Sequence, residues 1–216
     1  MSHLKRQEVP KSWPIERKGT KYVVRANFGF EKGVPVLIAL RDMLKIAKDR
    51  REVEKALYSK NVLSNNKIVL EEKNGLMLFD TLTIVPSKKY YRLNLNENGK
   101  FKLDEIKEAE TNKKVSKIIN KKTLNGKVTQ INLMDGRNFI SKSECKVGDS
   151  VLINFKDKKI EKIIPMRKGA NAMIFSGKHI GKTGIIENID EKGKMVEIKS
   201  DGEKINALVR QLMVTE

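Results

Sequence analysis

From Val34 onward the apolar residues fall into a helical rhythm: Val36, Leu37, Leu40, Met43, Leu44 and Ala47 share one face, and Pro35 suits a first helical position. The opposite side carries Arg41, Lys45 and Lys48, spaced i, i+4 and i+7. Asp49, followed three residues later by Glu52, has the spacing of a capping box. It predicts a second helix with Val53, Ala56 and Leu57 inward and Arg50, Arg51 and Lys55 outward. Two short helices would thus meet at a basic corner. The run NVLSNNKIVL then reads as a hairpin turning at Asn65–Asn66, with Lys67 just after the turn, and GLMLFDTLTIV as a further strand.

Beyond Pro86 the period shortens. YYRLNL and KFKL flank an N-E-N-G turn, and a short helix is expected from Asp104 (DEIKEAE). Strands VSKII, KVTQINL, RNFIS, DSVLINF and KIEKIIPM follow, with a D-G turn at Asp135–Gly136. Short, closely spaced strands favour a small barrel or sandwich. From Gly169 four or five more short strands alternate with Gly-containing turns, which predicts a second small barrel. The expected fold class is therefore α+β and multidomain. Its parts are a basic N-terminal arm at 1–33, a two-helix and hairpin module at 34–85, a basic mainly-β domain at 86–168 and a small β-barrel at 169–216.

Charge turns this outline into a functional expectation. The 216 residues hold 45 Lys and Arg against 27 Asp and Glu, a formal net charge of +18. The excess is uneven: residues 86–168 carry 21 basic and 10 acidic side chains, whereas 169–216 carry 7 and 7. A segmental excess points to a polyanion footprint rather than to general solubility. The first 33 residues contain Pro10, Pro14 and Gly19 and little periodicity, and are read as an extended arm bearing Lys5, Arg6, Lys11, Arg17, Lys18, Lys21 and Arg25. Trp13, Tyr22, Phe28 and Phe30 cluster among these cations, although aromatics at 6% are too sparse for a broad base-stacking platform. The lysines Lys113, Lys114, Lys117, Lys121, Lys122 and Lys127 are concentrated in one stretch, and like charges so close repel unless an anion lies nearby. The longest apolar run, near VPVLIAL, is too short to span a membrane, and no charged-then-apolar signal opens the chain, so an intracellular, soluble protein is expected.

Catalytic chemistry finds little to stand on. The two histidines, His3 and His179, and the single Cys145 cannot build a Cys/His zinc cluster, and no nucleophile–base constellation stands out. Asp80 and Asp135 are read as structural. SGKHIGKT approaches the P-loop pattern G-x-x-x-x-G-K-S/T through Gly181, Lys182 and Thr183, but Ser176 occupies the first glycine position. A P-loop must also open a helix, and the GIIENI that follows is β-branched and apolar. No catalytic residue, metal or cofactor is expected. RNA is preferred to duplex DNA because no helix suits major-groove reading, whereas basic corners and small barrels contact backbone and shape.

The two helices with their basic corner and hairpin resemble the S-four-type RNA-binding module, although N-N-K at the hairpin lacks the usual glycine. SGKHIGKTGIIENI is similar to the KOW motif, with Lys178 and Lys182 in its Gly-punctuated loop. Taken in order, the H-L-K-R start, the W-P at Trp13–Pro14, the L-R-D-x-L-K helix and the G-x-x-x-G-K-x-G loop resemble the archaeal and eukaryotic small-subunit ribosomal protein S-four-e family across nearly the whole chain. With no basic tail after Glu216, the shorter archaeal form is the one expected. The resemblance implies a structural part of the cytoplasmic ribosome, partnered by small-subunit rRNA near its 5' region and by neighbouring ribosomal proteins, with no small-molecule substrate. A pseudouridine-synthase-type enzyme and a KOW-containing transcription elongation factor are the alternatives.

Overall fold

A computed structural model describes residues 3–29, 31–124, 128–141, 144–190, 194–200 and 202–215. Phe30 and Lys127 lie outside these. The chain forms two compact units, residues 1–96 with 100–112, and residues 97–99 with 113–216.

In the first unit the expected extended arm is folded. Strand β1 (Leu4–Lys5) pairs antiparallel with β2 (Tyr22–Val23). Trp13 is only 2% exposed. Its burial supplies the apolar anchor that an extended tail lacks.

Strand β3 (Gly33–Pro35) leads into helix α1 (Val36–Ile38), which continues as one π-wound turn over Ala39–Met43. Val36, Leu37, Ile38, Ala39 and Leu40 are all buried, so this segment is enclosed rather than amphipathic. It also ends early. Leu44 N–H reaches back to Ala39 O, and Lys45 adopts a left-handed φ of 54°, which separates Arg41, Lys45 and Lys48 that one continuous helix would have aligned. Helix α2 (Arg50–Tyr58) starts where the capping pattern predicts, with Val53 and Leu57 buried and Arg50, Arg51 and Lys55 exposed. The Glu52 carboxylate accepts the Lys48 N–H at 2.7 Å, one residue upstream of the expected partner.

Strands β4 (Val62–Ser64) and β5 (Lys67–Ile68) form the expected hairpin, with Asn65 and Asn66 at φ 49° and 61°. The expected single strand over GLMLFDTLTIV is two: β6 (Gly75–Met77), which pairs with β3, and β7 (Thr81–Ile84), which pairs with β4. The chain turns between them at Phe79, φ 63°, where the Asp80 carboxylate accepts Met77 N–H at 2.7 Å and the Asn65 amide at 2.8 Å. Strands β8 (Lys89–Leu95) and β9 (Phe101–Glu105) complete a sheet of order β5-β4-β7-β8-β9.

Two expectations fall with that sheet. The boundary at 85/86 cuts the β7–β8 hairpin, in which Ile84 pairs with Lys89, so no domain begins there. The helix expected from Asp104 does not form, because Asp104 and Glu105 are held in the ladder opposite Arg92 and Tyr91; a 3-10 turn follows at Glu108–Asn112.

The second unit holds two five-stranded antiparallel sheets. The first runs β12 (Asn138–Ser141), β11 (Val128–Leu133), β10 (Lys113–Leu124), β13 (Ser150–Asn154), β14 (Lys159–Ile164). The long β10 serves β13 with its first half and β11 with its second, bending at a bulge between Ile118 and Asn120. Ile118, Ile131, Leu133, Val151 and Ile153 fill its core. The second sheet runs β18 (Glu203–Leu208), β17 (Met195–Ser200), β16 (Thr183–Asp190), β15 (Asn171–Ile174), β19 (Leu212–Val214), around Ile174, Ile186, Val196, Ile198 and Leu212. At Gly184 a Cβ would lie 2.2 Å from Lys199 O, so only glycine lets β16 approach β17 this closely.

Candidate nucleic-acid interface

Three expected RNA contacts are interior residues and are withdrawn. Trp13 belongs to the core of the first unit. Lys114 is 3% exposed, and its ammonium lies 3.1 Å from the Asp135 carboxylate, itself nearly buried. Lys117 is 4% exposed; its Nζ donates to Leu212 O at 2.5 Å and to Val209 O, and lies 5.5 Å from the centre of the Phe175 ring. Burial pulls its pKa from 10.5 down to about 8. Lys114 and Lys117 are three positions apart and so lie on opposite faces of β10, both covered at this end of the strand, and a run of lysines gives no sign that two faces are covered.

A second group keeps its charge at the surface but holds an internal partner. Arg41 pairs with Asp42 at 2.9 Å, Arg50 with Glu54 and with the buried Glu72 at 2.6 Å, Lys113 with Glu161 at 2.7 Å and Lys182 with Glu203 at 3.3 Å. Lys121 donates to Cys145 O at 2.9 Å. Arg6 makes three hydrogen bonds to the loop before β2, at 2.7–2.8 Å, and Lys5 is half-buried on β1.

The remaining expected residues are exposed, and among the described residues they have no acidic partner. In the first unit these are Lys11, Arg17, Lys18, Lys45, Lys48, Arg51, Lys55 and Lys67; in the second, Lys122 and Lys178. Lys60, two residues beyond α2 with φ 56°, joins them. Sequence reading passed over it, although a lysine closing a helix is a recognisable C-terminal signal. Arg51 and Lys55 lie one turn apart on α2, the spacing that sets side chains on one face.

Among the described residues no acid–base or nucleophile constellation emerges from the fold. Among the described residues no group of three or more His, Cys, Asp or Glu could hold a metal, and no helix is long and apolar enough to cross a membrane. Cys145 is buried, and its thiol pKa is pushed up by that burial. The residues after Gly181–Lys182 form strand β16, not a helix, so the phosphate cradle that a P-loop requires does not arise there.

These features define a mainly-β, strongly cationic protein. The family model described as "Ribosomal family S4e" matches residues 87–160, and that described as "RS4NT (NUC023) domain" matches residues 2–29. Small ribosomal subunit protein eS4 of Methanocella arvoryzae is 35% identical over 191 residues, covering 87% of this chain and 81% of that protein. That of Nanoarchaeum equitans is 36% identical, covering 87% and 82%. The crystal structure of the 30S ribosomal protein S4e from Thermoplasma acidophilum aligns with a TM-score of 0.74 at 28% identity, over 85% of this chain and 94% of that one. The chain belongs to the S4e family of small-subunit ribosomal proteins. Neither the pseudouridine-synthase nor the elongation-factor alternative is supported by these relatives.

Proposed function

We propose that this chain is a structural constituent of the small ribosomal subunit that binds rRNA in its 5' region, without chemistry, cofactor or small-molecule substrate of its own, beside neighbouring ribosomal proteins. The observation that carries the proposal is the sorting of its cations. Those that the fold needs are buried or paired, and a separate set around α2, the N-terminal loop and the β4–β5 hairpin is left exposed without acidic partners. Holding such like charges together costs energy that phosphates recover. In finer detail, the two helices with the β4–β5 hairpin serve as the S-four-type module, within a sheet that continues to Glu105. The strands from Asn171 to Val214 serve as a KOW-type barrel, presenting Lys178 in the loop before β16.

The test is a salt titration of the intact protein on a 5'-region fragment of small-subunit rRNA. Each phosphate contact contributes about −0.7 to −0.9 to the log–log slope, so about five contacts give a slope of about −4. Co-sedimentation of the native protein with small subunits in moderate salt accompanies it. A flat salt response overturns the electrostatic reading, and nucleotide turnover by the unmodified protein overturns the scaffold reading.

A further inference from the structure

The loop between β1 and β2 is closed around a single guanidinium. Arg6 Nε donates to Thr20 O at 2.7 Å, one terminal nitrogen to Glu16 O at 2.7 Å, and the other to Thr20 Oγ1 at 2.8 Å. Thr20 Oγ1 in turn donates to Tyr22 O at 3.1 Å, and Arg6 N–H to Lys21 O at 3.0 Å. The loop backbone presses so close that a Cβ on Gly19, whose φ is 137°, would sit 3.1 Å from Arg6 Cζ. A planar fork with several donors fixes the loop in a way that a lysine ammonium cannot. Three cations stand in the stretch so held: Lys21, whose ammonium lies 5.3 Å from the centre of the Tyr22 ring, and Arg17 and Lys18, both exposed and without an acidic partner among the described residues.

We propose that residues 16–21 form a preformed hook for the phosphodiester backbone of RNA, in which Arg17 and Lys18 contact adjacent phosphates and Arg6 is a positioning residue that touches no RNA. The proposal rests on the rRNA-binding reading above and deepens it. Ordering the loop before binding removes the entropy that a free loop would lose on meeting its ligand, so the hook gains affinity through Arg6 without a contact from it. Arg6 spends three of its side-chain donors, one from each nitrogen, on two backbone carbonyls and a threonine, which ties its guanidinium to the loop.

The experiment uses the full chain and the 5'-region rRNA fragment, with melting temperature as the control. Replacing Arg17 and Lys18 together with Gln is expected to weaken binding about tenfold per contact and to flatten the salt slope by about 1.4 to 1.8. Arg6→Lys, which keeps the charge, is expected to weaken binding about as much as Arg6→Gln, and to add nothing in the Arg17→Gln, Lys18→Gln background. Trypsin should cut faster after Arg17 and Lys18 in Arg6→Lys than in the parent. Thr20→Val, which removes one acceptor and leaves the charge untouched, provides a milder lesion should Arg6→Lys fail to fold, with the same direction expected. Binding by Arg6→Lys equal to the parent, or an Arg6→Lys loss that adds in full to that of the double variant, overturns the positioning role. Unchanged RNA affinity on loss of Arg17 and Lys18 overturns the hook while leaving the wider rRNA reading in place. Failure of the parent protein to bind rRNA removes that wider reading instead. Loss of anionic-vesicle binding by the double variant, with RNA affinity intact, would assign the hook to lipid phosphate and overturn it.

Discussion

Lys117 separates a structural lysine from an RNA-binding one. Its ammonium is surrounded by the carbonyls of Val209 and Leu212 and by the Phe175 ring, all of which favour the charge, yet burial outweighs them and brings the pKa from 10.5 to about 8. Between those two values the folded protein binds fewer protons than the unfolded chain, so stability climbs as pH rises through that window and is lost again as pH falls through about 8. At about 1.36 kcal/mol per decade, the whole rise is about 3 kcal/mol, of which about 2 kcal/mol is expressed by pH 9.5. Lys117→Met removes the titrating group at similar length. At pH 7 its two effects oppose each other. Methionine ends the cost of holding a charge away from water but leaves two carbonyls short of a donor, a loss of about 1–3 kcal/mol. The pH dependence is therefore the cleaner signal. Urea unfolding of parent and variant, measured from pH 7 to 9.5, should show the parent gaining about 2 kcal/mol on the variant across the range. The salt slope of RNA binding should be the same in both. Parallel stability curves, or a shallower salt slope in Lys117→Met, would refute the reasoning.

Asp135→Asn removes the carboxylate 3.1 Å from the buried Lys114 ammonium, and chemical denaturation should show a loss of about 3–5 kcal/mol. Asn65→Ala places a Cβ-branching-free but still left-handed-averse residue at φ 49° and removes the amide that serves Asp80 and Thr81. A loss of about 2–3 kcal/mol is expected, with no loss in Lys67→Ala, whose side chain is exposed. Gly184→Ala drives a methyl into Lys199 O and should lower the melting temperature by several degrees, measured by circular dichroism, whereas Gly136→Ala meets no neighbouring atom and should cost only its backbone strain at φ 81°.

Local rules carried much of the outline. The start of α2 followed from Asp49 and Glu52, the β4–β5 turn from two asparagines that tolerate positive φ, and the strands from 113 to 214 from their alternation and their glycine turns. Each of these depends on neighbours within a few positions, which is why sequence alone could reach them. The net charge and its segmental excess pointed to a polyanion for the same reason: charge is a property of composition and needs no fold.

What tertiary structure decided is which partner each residue meets. The arm is folded because Trp13 finds a core, and the helix after Pro35 stops early as it unwinds through a π turn into the left-handed backbone of Lys45. The residues from Lys89 to Glu105 belong with the first unit because their ladder partners lie there. Among the lysines of β10, Lys114 and Lys117 are interior while Lys121 and Lys122 are exposed, although all four are the same residue on the same strand. A lysine's own chemistry does not select between a phosphate and a buried carbonyl. The selection is made by what covers each face of the strand at each position, and those contacts join residues as far apart in the chain as Lys117 and Leu212.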